Sequence, residues 1–321
     1  MNTRSAARRS IPSPSKYLAF AALSLAVTMV SPENARSADA SRAATPSDCP
    51  KCAQWTESQK PFKVFGNTYY VGTHALSSIL ITSPSGHVLI DGTVQEAVPQ
   101  IVANIRSLGF RVEDIRVILN THVHFDHAGG IAAIQKMSGA QVDASPPSAH
   151  VLMQGHSDPS DPLFGDSLRG PDPVRHVKII KDGETVTVGP LAIIAHFTPG
   201  HTPGGTSWTW KSCEQTRCLN IVYADSLSTV SSKSFYFSHS TTYPNVLQDL
   251  EKSFKNFETL PCDILLTNHP EFSDTFGRLQ RRDQESMPDA FVDTSACRQY
   301  ADQSRANLKQ RLEQEKHPGR S

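Results

Sequence analysis

The amino-acid sequence predicts a mixed α/β fold in which two sheet-plus-helix layers pack face to face as one domain. Three observations predict it. Apolar runs of strand length recur between turn residues over 68–266, amphipathic stretches at helical spacing are interleaved with them, and the second half repeats the theme of the first without repeating its residues.

At the N-terminus, Arg4, Arg8, Arg9 and Lys16 precede an acid-free apolar run over 17–30, followed by a polar stretch containing Ala38-Asp39-Ala40. This order of basic, apolar and small residues is the pattern of a secretory signal over 1–40, with cleavage after Ala40. The run is shorter than the roughly 20 residues that cross a bilayer, which disfavours a permanent anchor. Arg8-Arg9 fits a twin-arginine signal whereas Pro12 and Pro14 do not, so both this route and the general secretory route stay open. A linker over 41–61 then leads to the body of the chain, 62–321.

Within the body, strands are predicted over 68–71, 78–82 and 88–90, the last two joined by Pro84-Ser85-Gly86. Val98, Ile101, Val102, Ile105 and Leu108 fall at helical spacing and stop at Gly109. The run over 115–119 is short enough to be a buried strand, and it opens into the polar turn 120–130 before a helix over 131–137. Further strands are predicted over 174–180, 185–188, 191–197, 207–210 and 219–223, with Asp182-Gly183 as a turn. Val246, Leu250, Phe254 and Phe257 make one helix face, 264–266 is a last strand, and 295–315 reads as a capped C-terminal helix.

Composition bounds the function. With 31 Lys+Arg against 31 Asp+Glu, the chain lacks the basic excess of a nucleic-acid-binding surface. At 38% hydrophobic residues it is globular, and its only long apolar stretch is the N-terminal one, so no stable membrane span is expected. Export implies an oxidising compartment, where six cysteines read first as disulfides. Cys213 and Cys218 flank a short polar loop and suit a hairpin clip. Cys49-Pro50-Lys51-Cys52 has the spacing of a redox motif or half a zinc knuckle, but no second pair sits at knuckle spacing, and it reads as structural.

His122, His124, Asp126 and His127 crowd into one turn, and an extended backbone there puts the side chains of 122, 124 and 126 on one side. Imidazole and carboxylate suit a borderline divalent cation, zinc first. The cluster joins a buried strand on one side and Ala128-Gly129-Gly130 on the other, where small residues let backbones approach. His201, in Thr198-Pro-Gly-His-Thr-Pro-Gly204, and His269, in Leu265-Leu-Thr-Asn-His-Pro270, also follow apolar strands. Six such ligands suit two zinc ions about 3.5–4 Å apart. The other histidines are isolated and read as surface or core residues; His196, alternating with apolar neighbours in a strand, reads as structural. Trp55, Phe164 and Tyr236 are available to wall a substrate groove. No Gly-x-Ser-x-Gly elbow or Ser-x-x-Lys pair falls at a suitable strand, which weighs against a serine hydrolase.

Through His122-Val-His124-Phe-Asp126-His127 and the Gly200-His201-Thr-Pro-Gly204 turn, the sequence resembles the metallo-beta-lactamase superfamily. Through Ala224-Asp-Ser-Leu-Ser228, the stretch 260–269 and the late Cys297, it resembles subclass B3 of that family, over about 62–300. The resemblance implies a four-layer αββα sandwich with the metals at one edge. It implies two Zn2+ per chain, the first on His122, His124 and His201 and the second on Asp126, His127 and His269. It further implies a Cys262–Cys297 disulfide, leaving Cys213 with Cys218 and Cys49 with Cys52.

The implied activity is that of an exported, periplasmic beta-lactamase conferring antibiotic resistance. A metal-bridging hydroxide would open the amide of penicillins, cephalosporins and carbapenems. Asp126 would also orient that hydroxide, Ser226 and Ser228 would bind the substrate carboxylate, and Tyr236 would polarise the lactam carbonyl. A small-molecule beta-lactam is the expected partner, nucleic acid is not, and a monomer is favoured. Two other readings compete. In a zinc thioesterase or lactonase of the same superfamily, Asp225 would bridge both metals instead of standing behind the ligands, and a non-catalytic exported metal-binding protein would be expected to have lost a ligand.

Overall fold

Successive strand side chains point to opposite faces, and this sequence uses both faces of its strands. Ile79 and Ile81 join one buried cluster while Leu80 between them joins another, and the same division separates Val88 and Ile90 from Leu89, and Ile221 and Tyr223 from Val222. Strands of this kind must be covered on both sides. The computed structural model shows how; it describes Cys49, residues 51–165 and residues 169–317, and the predicted signal segment lies outside them.

The first half runs α1 (Cys52–Trp55), β1 (Phe62–Phe65), β2 (Thr68–Tyr70), β3 (Ile79–Ile81), β4 (His87–Ile90), α2 (Val98–Ser107), β5 (Ile115–Leu119), α3 (Phe125–Ala128), α4 (Ile131–Ser138), β6 (Gln141–Ala144), α5 (Pro146–Gln154) and β7 (Val177–Ile179). The second runs β8 (Thr185–Val188), β9 (Leu191–Phe197), β10 (Thr206–Glu214), β11 (Arg217–Ala224), α6 (Val246–Thr259), β12 (Ile264–Thr267), α7 (Thr275–Gln284) and α8 (Ala296–Lys316). Strands β1 to β7 form one sheet in sequence order, antiparallel up to β4 and parallel from β4 to β7. The second sheet has the order β12-β11-β10-β9-β8, with β11 and β12 parallel.

Between the sheets lie Tyr70, Ile79, Ile90, Leu119, Ile193, Trp208, Ile221 and Leu266. The outer face of the first sheet packs Leu80, Leu89 and Ile118 on Ile101, Ile105, Ile131 and Ile134 of α2 and α4. The outer face of the second packs Val222 and Leu265 on Leu250, Phe254 and Phe257 of α6 and Tyr300 and Leu308 of α8. The arrangement is the αββα sandwich. Each fully buried Leu, Ile or Phe contributes about 1.5–3 kcal/mol, so the two helix layers are held by many such side chains and not by propensity.

All three disulfides form. Cys213 and Cys218 pair across β10 and β11, where they face each other in register, Cys262 joins Cys297 at the start of α8, and Cys49 joins Cys52. Cys49, Cys52 and Trp55 pack with Leu76, Val94, Ala97 and Phe125, so this part of the expected linker lies against the body. Among the described residues no helix is long and apolar enough to cross a membrane.

Some elements were not predicted or have other bounds than predicted, each for a physical reason. Strand β6 reads Gln-Val-Asp-Ala, four residues with one β-branched side chain and a buried Asp143, too short and too polar to stand out. Helix α7 holds three arginines and few apolar residues. Strand β7 is shorter than the predicted 174–180 because Val174 N–H bonds to Leu152 O, outside the ladder, and His176 takes a left-handed φ of 58°.

Candidate metal centre

The ligand-rich turn leaves β5 at Leu119 and is fixed from below by the fully buried Asp91. Its carboxylate accepts hydrogen bonds from Thr121 N–H at 2.8 Å, Thr121 Oγ1 at 2.7 Å and the Tyr223 hydroxyl at 3.3 Å. Burial pushes the Asp91 carboxyl up to about 8, against the pull of the Thr121 donors. Asn120 Nδ2 donates to His122 O at 2.7 Å. Beyond α3, the Gly92 and Gly130 N–H groups donate to His127 O and Thr93 O, both at 2.9 Å. A Cβ on Gly130 would lie 2.3 Å from Gly92 O, so only glycine permits this approach.

His201 enters from the turn after β9 and His269 from the end of β12. The rings of His122, His124 and His201 meet with centroids 4.7, 4.8 and 4.8 Å apart and planes within 2° of perpendicular. Their ligand atoms lie within 4.8 Å of one another. Beside them, Asp126 Oδ2, His127 Nε2 and His269 Nε2 form a triangle with sides of 3.4, 3.4 and 3.2 Å. The structure therefore brings all six predicted ligands together from three regions of the chain.

The outward nitrogens of the first group are held. His122 Nδ1–H donates to Asp225 Oδ1 at 2.7 Å, His124 Nε2–H to both Asp161 oxygens at 3.0 Å, and His201 Nδ1–H to Ser228 O at 3.1 Å. Fixing these protons leaves the other nitrogen of each ring as a lone-pair donor toward the centre. His122 Nε2 is buried with no hydrogen-bond partner, which is the condition of an atom shaped to bind a cation. In the second group, a tetrahedral zinc with Zn–N near 2.0–2.1 Å spaces its donors roughly 3.3 Å apart, matching the observed triangle. The donor set, three imidazoles on one side and two imidazoles with a carboxylate on the other, fits two zinc ions.

Burial favours the neutral ring at His122, His127 and His201, whereas at His124 and His269 burial is outweighed by the neighbouring carboxylates of Asp161 and Asp126, which favour the protonated one. Burial drives His122 and His127 well below the usual histidine range and His201 down to about 3, so all three rings are neutral at pH 7. Burial would raise Asp126, but His127 and His269 outweigh it and hold the carboxyl well below its ordinary value. Burial opposes the charging of His124, and the Asp161 carboxylate reverses that shift upward.

The centre opens into a cleft of about 960 Å³ lined by Trp55, His74, Leu163, Ser226, Ser228 and Glu271 with His124, Asp126, His127, His201 and His269. Of the residues expected to face substrate, Ser226 and Ser228 lie there, adjacent to each other, with Ser228 N–H donating to Ser226 Oγ at 3.2 Å. Tyr236 does not line it: its ring stacks on His239, 4.8 Å between centroids, in a neighbouring cavity with Phe164. His196 bonds Thr209 Oγ1 at 2.8 Å on the sheet, away from the ligands. Asp225 is fully buried behind His122, its second oxygen lying against Gly205, where a Cβ would be 2.4 Å away. Burial pushes its carboxyl up to about 7. Sequence reasoning missed Asp161, which sits in a Ser-, Asp- and Pro-containing loop with no periodicity, and Tyr300, which reads only as a helix-face aromatic.

Comparison with known proteins agrees with this geometry. The pattern of the metallo-beta-lactamase superfamily matches residues 71–214. Among solved structures, Rm3 metallo-beta-lactamase is 52% identical, with a TM-score of 0.81 over 84% of this chain and 99% of that one. MEM-A1, a subclass B3 metallo-beta-lactamase from a soil metagenome library, is 47% identical, with a TM-score of 0.79 over 82% of this chain and 98% of that one. SMB-1 metallo-beta-lactamase is also 47% identical, with a TM-score of 0.78 over 81% and 99%. The chain belongs to the metallo-beta-lactamase superfamily. Its similarity to curated sequences is more partial. A probable metallo-hydrolase of Burkholderia pseudomallei is 29% identical over 41% of this chain and 46% of its own length. A hydroxyacylglutathione hydrolase of Anaeromyxobacter dehalogenans is 38% identical over 30% of this chain and 29% of its own. The match thus spans less than half the length of these two relatives.

Proposed function

We propose that the protein is an exported, subclass B3-type beta-lactamase that hydrolyses the amide bond of penicillins, cephalosporins and carbapenems and thereby confers resistance to them. The observation that carries this reading is the pairing of two donor triads at the floor of one cleft with Ser226 and Ser228 on its wall. Zinc, when bound, supplies a Lewis acid for the lactam carbonyl and a water whose pKa is lowered toward about 7. His122, His124 and His201 would hold the first ion, and Asp126, His127 and His269 the second.

The chain's own residues supply the remainder. Asp126 keeps an ionised carboxylate at the junction of the triads, where it accepts a hydrogen bond from the attacking water and aims it. Ser226 and Ser228 donate hydroxyls to the substrate carboxylate, fixing the ring over the metals. Trp55 and Leu163 on the cleft wall offer apolar surface to the substrate and exclude bulk water. No side chain acts as nucleophile, so inhibitors that acylate a serine should leave the enzyme untouched.

The position of Asp225 favours this reading over a thioesterase or lactonase with a bridging aspartate, because its Oδ1 is engaged by His122 and its Oδ2 faces Gly205. The full set of six ligands argues against a non-catalytic role. The N-terminal signal pattern and three disulfides support a periplasmic location, with 1–40 removed and the mature domain beginning beyond it. Purified protein should open a chromogenic cephalosporin and a carbapenem, lose both activities to a chelator and regain them with zinc. Cleavage of thioesters or lactones without cleavage of any beta-lactam would overturn the assignment.

A further inference from the structure

The three imidazoles of the first triad are oriented by different acceptors: those of His122 and His201 lie in the segment that directly follows β11, and that of His124 in a separate loop after α5. Asp161 accepts from His124 Nε2 with both oxygens at 3.0 Å, while its Oδ1 also accepts the Leu163 N–H at 2.8 Å. The loop around it is closed on itself. Asp161 N–H donates to Asp158 O at 2.9 Å, Asp158 Oδ1 accepts the Ser160 N–H at 2.9 Å, and Phe164 N–H donates to Asp161 O at 2.9 Å. A further bond, Ser232 N–H to Pro162 O at 2.9 Å, ties it to the segment beyond β11. One carboxylate, 37 residues from its histidine in sequence, thus joins a metal ligand to the loop that places Leu163 on the cleft wall.

We infer that Asp161 is a positioning residue: it holds His124 in the tautomer that presents Nδ1 to the centre, and so sets the affinity of the first metal position. The inference rests on the metal-binding part of the reading above, not on the substrate. A ring free to rotate, or protonated on Nδ1, offers the cation no lone pair, and loss of such an outer carboxylate ordinarily costs about 10–100-fold in metal affinity. Asp161 touches neither substrate nor the reacting atoms.

The test is a zinc titration of the full chain against a competing chromophoric chelator, with the visible spectrum of the cobalt-substituted protein as a second readout. Four proteins are compared: the unaltered chain, Asp161→Ala, Asp161→Asn and Asp158→Ala. Asp161→Ala should weaken the first zinc by about 10–100-fold and alter the cobalt spectrum. Asp161→Asn keeps an oxygen for both donors but loses the charge, so it should show a smaller loss in the same direction, and it decides the matter if the alanine variant does not fold. Asp158→Ala loosens the same loop without touching His124 and should leave zinc affinity within about twofold of the unaltered chain. Unchanged affinity in both Asp161 variants, or equal losses in Asp158→Ala and Asp161→Ala, would overturn the inference. If the unaltered chain binds zinc but opens no beta-lactam, the proposed substrate is wrong while the role of Asp161 is still decided by the titration.

Discussion

The Tyr300 hydroxyl donates to the Asp225 carbonyl at 3.0 Å and accepts the Leu227 N–H at 3.1 Å. A side chain on α8 thereby fixes the strand-end segment that carries both the acceptor of His122 and the two serines of the cleft wall. Removing the hydroxyl in Tyr300→Phe leaves a buried carbonyl and N–H unpaired, at a cost of about 1–3 kcal/mol. Thermal unfolding should show the loss, and steady-state kinetics should show KM for an anionic substrate rising more than kcat falls, because Ser226 and Ser228 are displaced while the ligands stay.

The approach of Asp225 to Gly205 sets a second test. A Cβ at position 205 would lie 2.4 Å from Asp225 Oδ2 and 2.5 Å from Thr198 O. Gly205→Ala should therefore destabilise the fold by about 1–3 kcal/mol and weaken zinc binding through His122, both measurable in one denaturation series with and without metal.

The disulfides should differ in their contribution. Cys262 and Cys297 are 35 residues apart and Cys213 and Cys218 only 5. On the chain-entropy account the longer loop is worth about 4 kcal/mol and the shorter about 2. Paired Cys→Ser variants compared by denaturant unfolding should rank in that order, and the longer one should also disturb Tyr300, three residues from Cys297 on α8.

Ligand and wall residues should separate kinetically. His122→Ala removes the buried Nε2 of the first triad and should abolish most of kcat together with one metal. Ser226→Ala should raise KM for anionic substrates by about tenfold, the worth of one hydrogen bond to a charged group, with kcat nearly kept. Equal, mild effects from both would contradict the roles assigned.

The convergence of these six side chains was legible because they announce themselves: His122, His124, Asp126 and His127 share one turn, and His201 and His269 each end an apolar strand flanked by turn residues. The sandwich was legible from runs such as Ile115–Leu119, whose length and composition fit a strand buried on both faces. What could not be read depends on contacts across the chain. Asp161 meets His124 only because the loop folds back over the cleft, and Tyr300 meets Asp225 only because α8 packs on the second sheet. Helix α7 offers only Phe276 and Leu279 to the core, too few to mark a helix in the sequence, and its arginines are used in tertiary contacts, Arg278 bonding Ser273 O and Asp293. Tyr236 was placed on chain position alone, and position did not foresee its stacking on His239.

The central claim is that five imidazoles and one carboxylate hold two zinc ions that are needed for hydrolysis. Elemental analysis of active protein tests it most directly. Two zinc ions per chain are predicted, falling to one in His269→Ala with loss of cephalosporin hydrolysis. A preparation that opens the cephalosporin at full rate with no transition metal bound would contradict it.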